Sequence, residues 1–478
     1  MAPDVGGELL FSAAFPLPFR VLCLAGLGIL GWATNLHGLY AFGIDPVSAL
    51  DLRRHDDSRL TTSLPTTRGH GWKSIAHPST VYGPVYRLFI AYSVWTLFAW
   101  TAFRFATYGD VYLVDTFKFV PAVAASCLCM ALICPWDVFQ KAERDKFLHS
   151  IHRCISPPHH RIYFSDVVFA DVFTSFAKVL GDVWLSLCML LPGGSLLIQP
   201  AQTGLARWIL PTIMSLPYAV RLRQCLIEYT SCTNNSRRPL LNALKYASAF
   251  PVIYLSAAQR IVISDLTAVK GDRAAREAWH GEHQLFRLWL LAAGINSLYS
   301  FWWDVTYDWG FDLLLPRPSA NPDPGVPPRP LLLPRLRSRS PLLDAHDPDS
   351  VKDGLPEGAT LSYTSGRRTH PYGLRPRLLL PLPVYPFVIL VDLVLRLTWS
   401  AKLSSHLHSY GDGDLLIFWI EMAEIMRRWM WVFIRVEWEV VKDARAAREA
   451  PLSAHRDDVE DKFEMIQTDI ERRVSEGG

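Results

Sequence analysis

Between Leu415 and Val441 the chain reads LLIFWIEMAEIMRRWMWVFIRVEWEVV, apolar enough for a bilayer yet carrying Glu421, Glu424, Arg427, Arg428 and Arg435. Offsets of three, four, seven and eight put these charges on one helical face. An ionised side chain at mid-bilayer costs about 2.5 to 3.5 kcal/mol on insertion scales, so several in one span must pair or face a wet cavity. Charges placed at that cost mark the path of an ion.

Other apolar stretches carry charge in the same way. DVVFADVFTSFAKVLGD aligns Asp171, Thr174, Ser175, Lys178 and Asp182 in one polar stripe. Interhelical hydrogen bonds account for hydroxyls, but two carboxylates and a lysine exceed what helix packing needs. Arg221, Gln224 and Glu228 share a face near the end of another span, where Arg223 reads as snorkelling to the interface. Asn242, Lys245 and Tyr246 open the next, and Lys245 is read equally as snorkelling or as inward-facing. Ser297, Ser300, Asp304 and Asp308 stack at helical spacing. Asp392 and Arg396, four apart, predict an intrahelical ion pair, with Trp399 one turn on as a pathway aromatic or an interfacial anchor.

Lys245, Arg396, Arg427 and Arg428 come from three separate spans, and the acids Asp171, Asp304 and Glu424 stand near them or on others. Guanidinium groups present planar paired donors that fit a tetrahedral oxyanion, and a lysine adds a compact charge. The implied ligand is phosphate or a similar anion. Neighbouring acids hold the cations when the anion is absent and keep its binding weak enough for release.

The elements that must position these groups are helices in a membrane. Half of the 478 residues are hydrophobic and 12% are aromatic, with a mean hydropathy of +0.14, which excludes an average soluble domain. Windows of about 20 apolar residues lie near 18–43, 83–105, 116–136, 166–191, 205–222, 243–263, 284–303, 379–400 and 414–438. The fold expected is an all-α polytopic transmembrane bundle of about nine spans. Basic residues cluster in alternate loops: Arg53, Arg54, Arg59, Arg68 and Lys73 in one, then Lys141, Arg144, Lys146, Arg153 and Arg161, with none from 106 to 115. The positive-inside rule makes those loops cytosolic, with the N-terminus lumenal and the C-terminus cytosolic; Lys270, Arg273 and Arg276 fit this less well. Residues 316–377 are too rich in proline to form a core and read as a disordered cytosolic insertion.

The expected division is thus 1–80 for the first span and its loop, 81–442 for the main transmembrane domain, and 443–478 for a charged tail. The eight cysteines lack CxxC pairs and read as small buried side chains. His149, His152, His159 and His160 belong more naturally to an interfacial segment than to a zinc site. No P-loop, dinucleotide glycine motif, HExxH or GxSxG occurs, so neither an enzyme nor a cofactor is expected.

The segments FADVFTSF, LPYAVRLRQCLIEYTS with LLNALKYAS, NSLYSFWWDVTYDWG, VDLVLRLTWS and EIMRRWMWVFIRVEWEV occur in order, and in them the chain resembles the EXS-domain family. That family includes phosphate exporters related to the xenotropic and polytropic retrovirus receptor and the shorter fungal ER-retention-defective proteins. Without room for an SPX domain, the chain is similar to the second group. The resemblance implies that Lys245, Arg396, Arg427 and Arg428 contact phosphate, that Asp171, Asp304 and Glu424 are the acids of the pathway, and that Trp399 gates it. Where relatives read RLENEH this chain reads RVEWEVV, so Trp438 replaces an asparagine at the cytosolic mouth. The resemblance further implies a Golgi membrane protein that returns to the cytosol the phosphate released by lumenal glycosylation, and that supports retention of resident proteins. The alternative is a membrane sorting receptor for glycosyltransferases working through cytosolic adaptors. The partners expected are inorganic phosphate and the lipid bilayer, with a homodimer left open and no nucleic acid.

Overall fold

The computed structural model describes residues 11–50, 52, 79–156, 162–198, 200, 204–231, 234, 236–270, 284–314, 373–375, 378–399 and 413–476, with side chains described for all of these but 79, 80, 266–270, 312, 399 and 445–476. Nearly all of the predicted insertion, His159, His160 and the Trp399 side chain therefore lie outside the described residues.

The described residues are helical, without strands. The longer helices are α1 (Leu17–Ala41), α2 (Ser79–Thr107), α3 (Phe119–Ile133), α4 (Lys141–Ile155), α5 (Phe164–Ser175), α6 (Ala177–Leu190), α7 (Ile209–Thr230), α8 (Arg238–Ala247), α9 (Ala249–Lys270), α10 (Gln284–Trp303), α11 (Val384–Trp399) and α12 (Gly413–Glu476). Four stretches are long and apolar enough to cross a membrane: Leu17–Ala41, Val81–Thr107, Val111–Ile133 and Arg238–Asp265. The pair α5 and α6, bent by 60° at its break, makes a fifth when it is counted as one span. About nine apolar windows were expected. The less apolar windows, notably those of α7 and α12, hold buried charged residues such as Arg221, Glu421, Glu424, Arg427 and Arg428, which lower their mean hydropathy while facing inward.

Two apolar clusters frame the bundle. One joins Leu36 and Leu39 of α1 to Trp309, Phe311, Tyr385, Trp431 and Val432. The other joins Met214 and Tyr218 of α7 to Tyr246, Val252, Ile253 and Trp289 of α8, α9 and α10. On the outside, Val94, Leu97, Phe98 and Phe105 of α2, with Phe119, Met130 and Ile133 of α3, are exposed, as expected of a surface facing lipid rather than water. Small residues let helices approach: a Cβ on Gly181 of α6 would lie 2.8 Å from Met214 Cγ and 2.9 Å from Leu210 Cδ1 of α7.

At one end, the segments on either side of residues 315–372 are clamped to α12. Glu437 Oε1 accepts from the Leu379 amide and the Tyr385 hydroxyl, each at 2.8 Å, and Glu437 Oε2 lies 3.1 Å from Arg375 Nη2. The Arg375 guanidinium sits 5.2 Å from the Phe311 ring centre and 5.3 Å from that of Trp438. Gly310 has φ +65°, and a Cβ there would meet the Trp438 ring at 2.5 Å, so both backbone conformation and space require glycine.

Three expectations need correction. The polar stripe from Asp171 to Asp182 is not one helical face, because the chain breaks at Phe176 between α5 and α6. Arg144, counted as a loop charge, is buried: it donates to the carbonyls of Ala131, Leu132, Cys134, Trp136, Val138 and Phe139. It thereby satisfies the open end of α3 and holds Phe139 and Gln140 at φ of 51° and 53°. Of the cysteines, Cys154 and Cys225 are buried whereas Cys23 and Cys129 are exposed.

Candidate functional site: a buried chamber lined with cations

The break between α5 and α6 leaves the hydroxyls of Thr174 and Ser175 in the bundle interior, and irregular backbone at membrane depth is tolerated where it borders a cavity. Arg428 of α12 uses them: its Nε donates to Ser175 Oγ and its Nη2 to Thr174 Oγ1, both at 3.1 Å. Its guanidinium carbon lies 4.6 Å from the Trp431 ring centre. Its Nη1 is buried without a hydrogen-bond partner among the described residues.

Arg427, one residue earlier and about 100° round the helix, faces acids instead. Glu424 takes it in a two-toothed grip, with Nε to Oε2 at 3.0 Å and Nη2 to Oε1 at 2.6 Å, and Nη1 reaches Asp392 Oδ1 at 2.8 Å. Arg396 of α11 pairs with Asp392 at 3.1 Å, as the spacing of four predicts, and with Asp304. Asp304 is fully buried at the start of a π-helical turn, Asp304–Asp308, that ends α10. Such turns widen the backbone and recur at functional sites. The turn lets both of its carboxylates reach Lys245 of α8, at 2.9 Å for Asp304 Oδ1 and 3.2 Å for Asp308 Oδ2. Lys245 therefore does not snorkel.

Lys245, Arg396, Arg427, Arg428 and Glu424 together line one cavity of about 40 Å³, with Thr174, Tyr218, Tyr246, Asn296, Ser297 and Ser300 completing the wall. It has room for about three water molecules, the scale of a bare tetrahedral oxyanion rather than a nucleotide. Asp304 stands behind two of the cations. Asp171 lies one layer out: it accepts from Tyr246 Oη, which is on the wall, and pairs with Arg221 Nε at 2.9 Å. Arg221 in turn donates to Gln224 Oε1 at 2.5 Å, so this triad of buried polar groups fixes Tyr246.

The charges are not evenly matched around the chamber. Lys245, Arg396 and Arg427 each touch two or more carboxylates, whereas Arg428, among the described residues, donates to hydroxyls and makes no ion pair. An anion placed 4 Å from a guanidinium gains about 4 kcal/mol per unit charge at an effective dielectric of 20, and Arg428 offers that gain with no ion pair to break. Tyr218 and Asn296 were not picked out in the sequence. A tyrosine and an asparagine in apolar windows carry no net charge, so nothing in the pattern separates them from ordinary packing residues.

The EXS family pattern matches residues 15–441. Among curated relatives, the chain is 26% identical over 447 residues to "Protein ERD1 homolog 1" of Schizosaccharomyces pombe, covering 90% of this chain and 92% of that protein. It is 28% identical over 276 residues to "Protein ERD1 homolog 2" of the same yeast, which spans 57% of this chain and 54% of the relative. It is also 24% identical over 356 residues to "Phosphate transporter PHO1 homolog 8" of Arabidopsis thaliana, 72% of this chain but 37% of the relative.

Proposed function

Because the chain belongs to the EXS family, we propose that it passes inorganic phosphate across its membrane through the chamber on Arg428. The relative from Arabidopsis thaliana is named as a phosphate transporter, and the observation that carries the reading here is the convergence of four cations from α8, α11 and α12 on one small cavity. Within the chamber, phosphate docks first on Nη1 of Arg428, which has no hydrogen-bond partner among the described residues. As it approaches, Lys245, Arg396 and Arg427 exchange carboxylate contacts for phosphate oxygens, and the carboxylates reclaim them when it leaves. Retaining those acids keeps the anion from being trapped. Trp399, at the end of α11, gates the pathway.

The membrane in question is the Golgi, with flux from lumen to cytosol. Support comes from the alternation of basic loops in the sequence and from the likeness to proteins named for ERD1. The α1 and α12 starts share one end of the bundle, joined by the Arg20–Asp414 ion pair at 2.9 Å, which fits a lumenal N-terminus and a last helix leaving toward the cytosol.

The experiment is flux of radiolabelled phosphate from proteoliposomes containing the purified chain. Arg428→Ala is expected to reduce flux to the level of empty vesicles while the protein still elutes as a folded species, and sulfate is expected to compete weakly. Unchanged flux in that variant overturns the assignment of the chamber.

A further inference from the structure

A second, larger cavity of about 320 Å³ opens where α1 and α12 begin, between Arg20, Lys178, Asp182, Arg207, Arg260 and Glu421. It is separated from the inner chamber by about one helical turn. Lys178 of α6 lines the outer cavity and Thr174, before the break, the inner one; Glu421 and Glu424 divide in the same way along α12. The partition between them is polar, since Ser175 Oγ donates to Glu424 Oε1 at 3.0 Å.

Three of the four cations on this outer wall are already engaged. Arg20 pairs with Asp414 at 2.9 Å and donates to Ser12 Oγ and the Phe15 carbonyl, each at 2.8 Å. Lys178 pairs with Asp182 and, at 3.6 Å, with Glu421. Arg207 pairs with Asp265 at 2.9 Å. Arg260 of α9 has no ion pair or hydrogen bond with any described residue, and the carboxylate that acts on it at longer range, Asp182, is held by Lys178. A half-buried guanidinium on a cavity wall with no carboxylate paired to it among the described residues is a site left open for an anion.

We infer that this cavity is a second oxyanion site, a vestibule in which Arg260, with Lys178 beside it, holds phosphate before it reaches the inner chamber. The inference rests on the phosphate reading of that chamber but assigns separate residues. Its volume, several times that of the inner chamber, also admits a phosphate carrying an organic group. Phosphomonoesters therefore bind the vestibule without passing the partition, and compete with phosphate from that side.

The test is equilibrium binding of labelled inorganic phosphate to the full chain in lipid nanodiscs, with flux measured in parallel. The unaltered chain is expected to bind two phosphates, and Arg260→Gln and Arg428→Ala one each. In flux, Arg260→Gln raises the half-saturating phosphate concentration about tenfold with the maximal rate retained, and Arg260→Lys restores it; Arg428→Ala removes the maximal rate. Glycerol phosphate inhibits the unaltered chain and not Arg260→Gln. One phosphate per unaltered chain, a count needing no variant, overturns the vestibule and leaves the inner chamber standing. Two phosphates without any flux overturn the transport reading and leave the vestibule standing.

Discussion

Asp304 holds more of the chamber than any other acid. It is fully buried, it contacts Lys245 and Arg396, and Arg427 Nη1 lies 3.9 Å away. Removing one partner from a buried ion pair leaves an uncompensated charge, a loss of about 3 to 5 kcal/mol. Asp304→Asn is therefore expected to lower the thermal midpoint of the protein in nanodiscs sharply, and the double variant Asp304→Asn/Lys245→Met to recover part of it, since the stranded lysine goes too. A double variant no more stable than the single one contradicts the pairing. At this scale the sequence was legible wherever a charge stood in an apolar window, because a bilayer makes each such charge exceptional. Arg396 with Asp392 could be paired in advance, four residues being local geometry. Arg428 with Ser175 could not, since 253 residues separate them and only the fold brings them together. Arg20 and Arg260 also stand inside apolar windows, and the same argument of cost, applied to them, leads to the vestibule.

The helices were legible as apolar runs, and the break between α5 and α6 was not. No proline or glycine stands at Phe176; the bend leaves Thr174 and Ser175 beside Arg428 while Lys178 and Asp182 turn toward the other cavity. What looked like one stripe serves two sites. The same region depends on close packing of α6 on α7 at Gly181. Gly181→Val forces Met214 and Leu210 aside, an overpacking loss of about 1 to 3 kcal/mol. It is expected to appear as a lower midpoint of thermal unfolding and a raised half-saturating phosphate concentration, because the α6 wall of the vestibule moves with it. An unchanged midpoint would mean that α7 yields without strain.

For the whole molecule, the clamp of Glu437, Arg375, Phe311 and Trp438 settles a matter of engineering. Both chain ends bordering residues 315–372 are fastened to α12, so the distance to be bridged is fixed whatever lies between. Doubling the length of a flexible connection costs only about 0.6 kcal/mol in closure entropy. A fluorescent reporter spliced between residues 330 and 360 is therefore expected to leave phosphate flux within about twofold of the unaltered chain, with Arg375→Ala abolishing that tolerance. A cell biologist can use that freedom to follow the protein through its compartments in living cells.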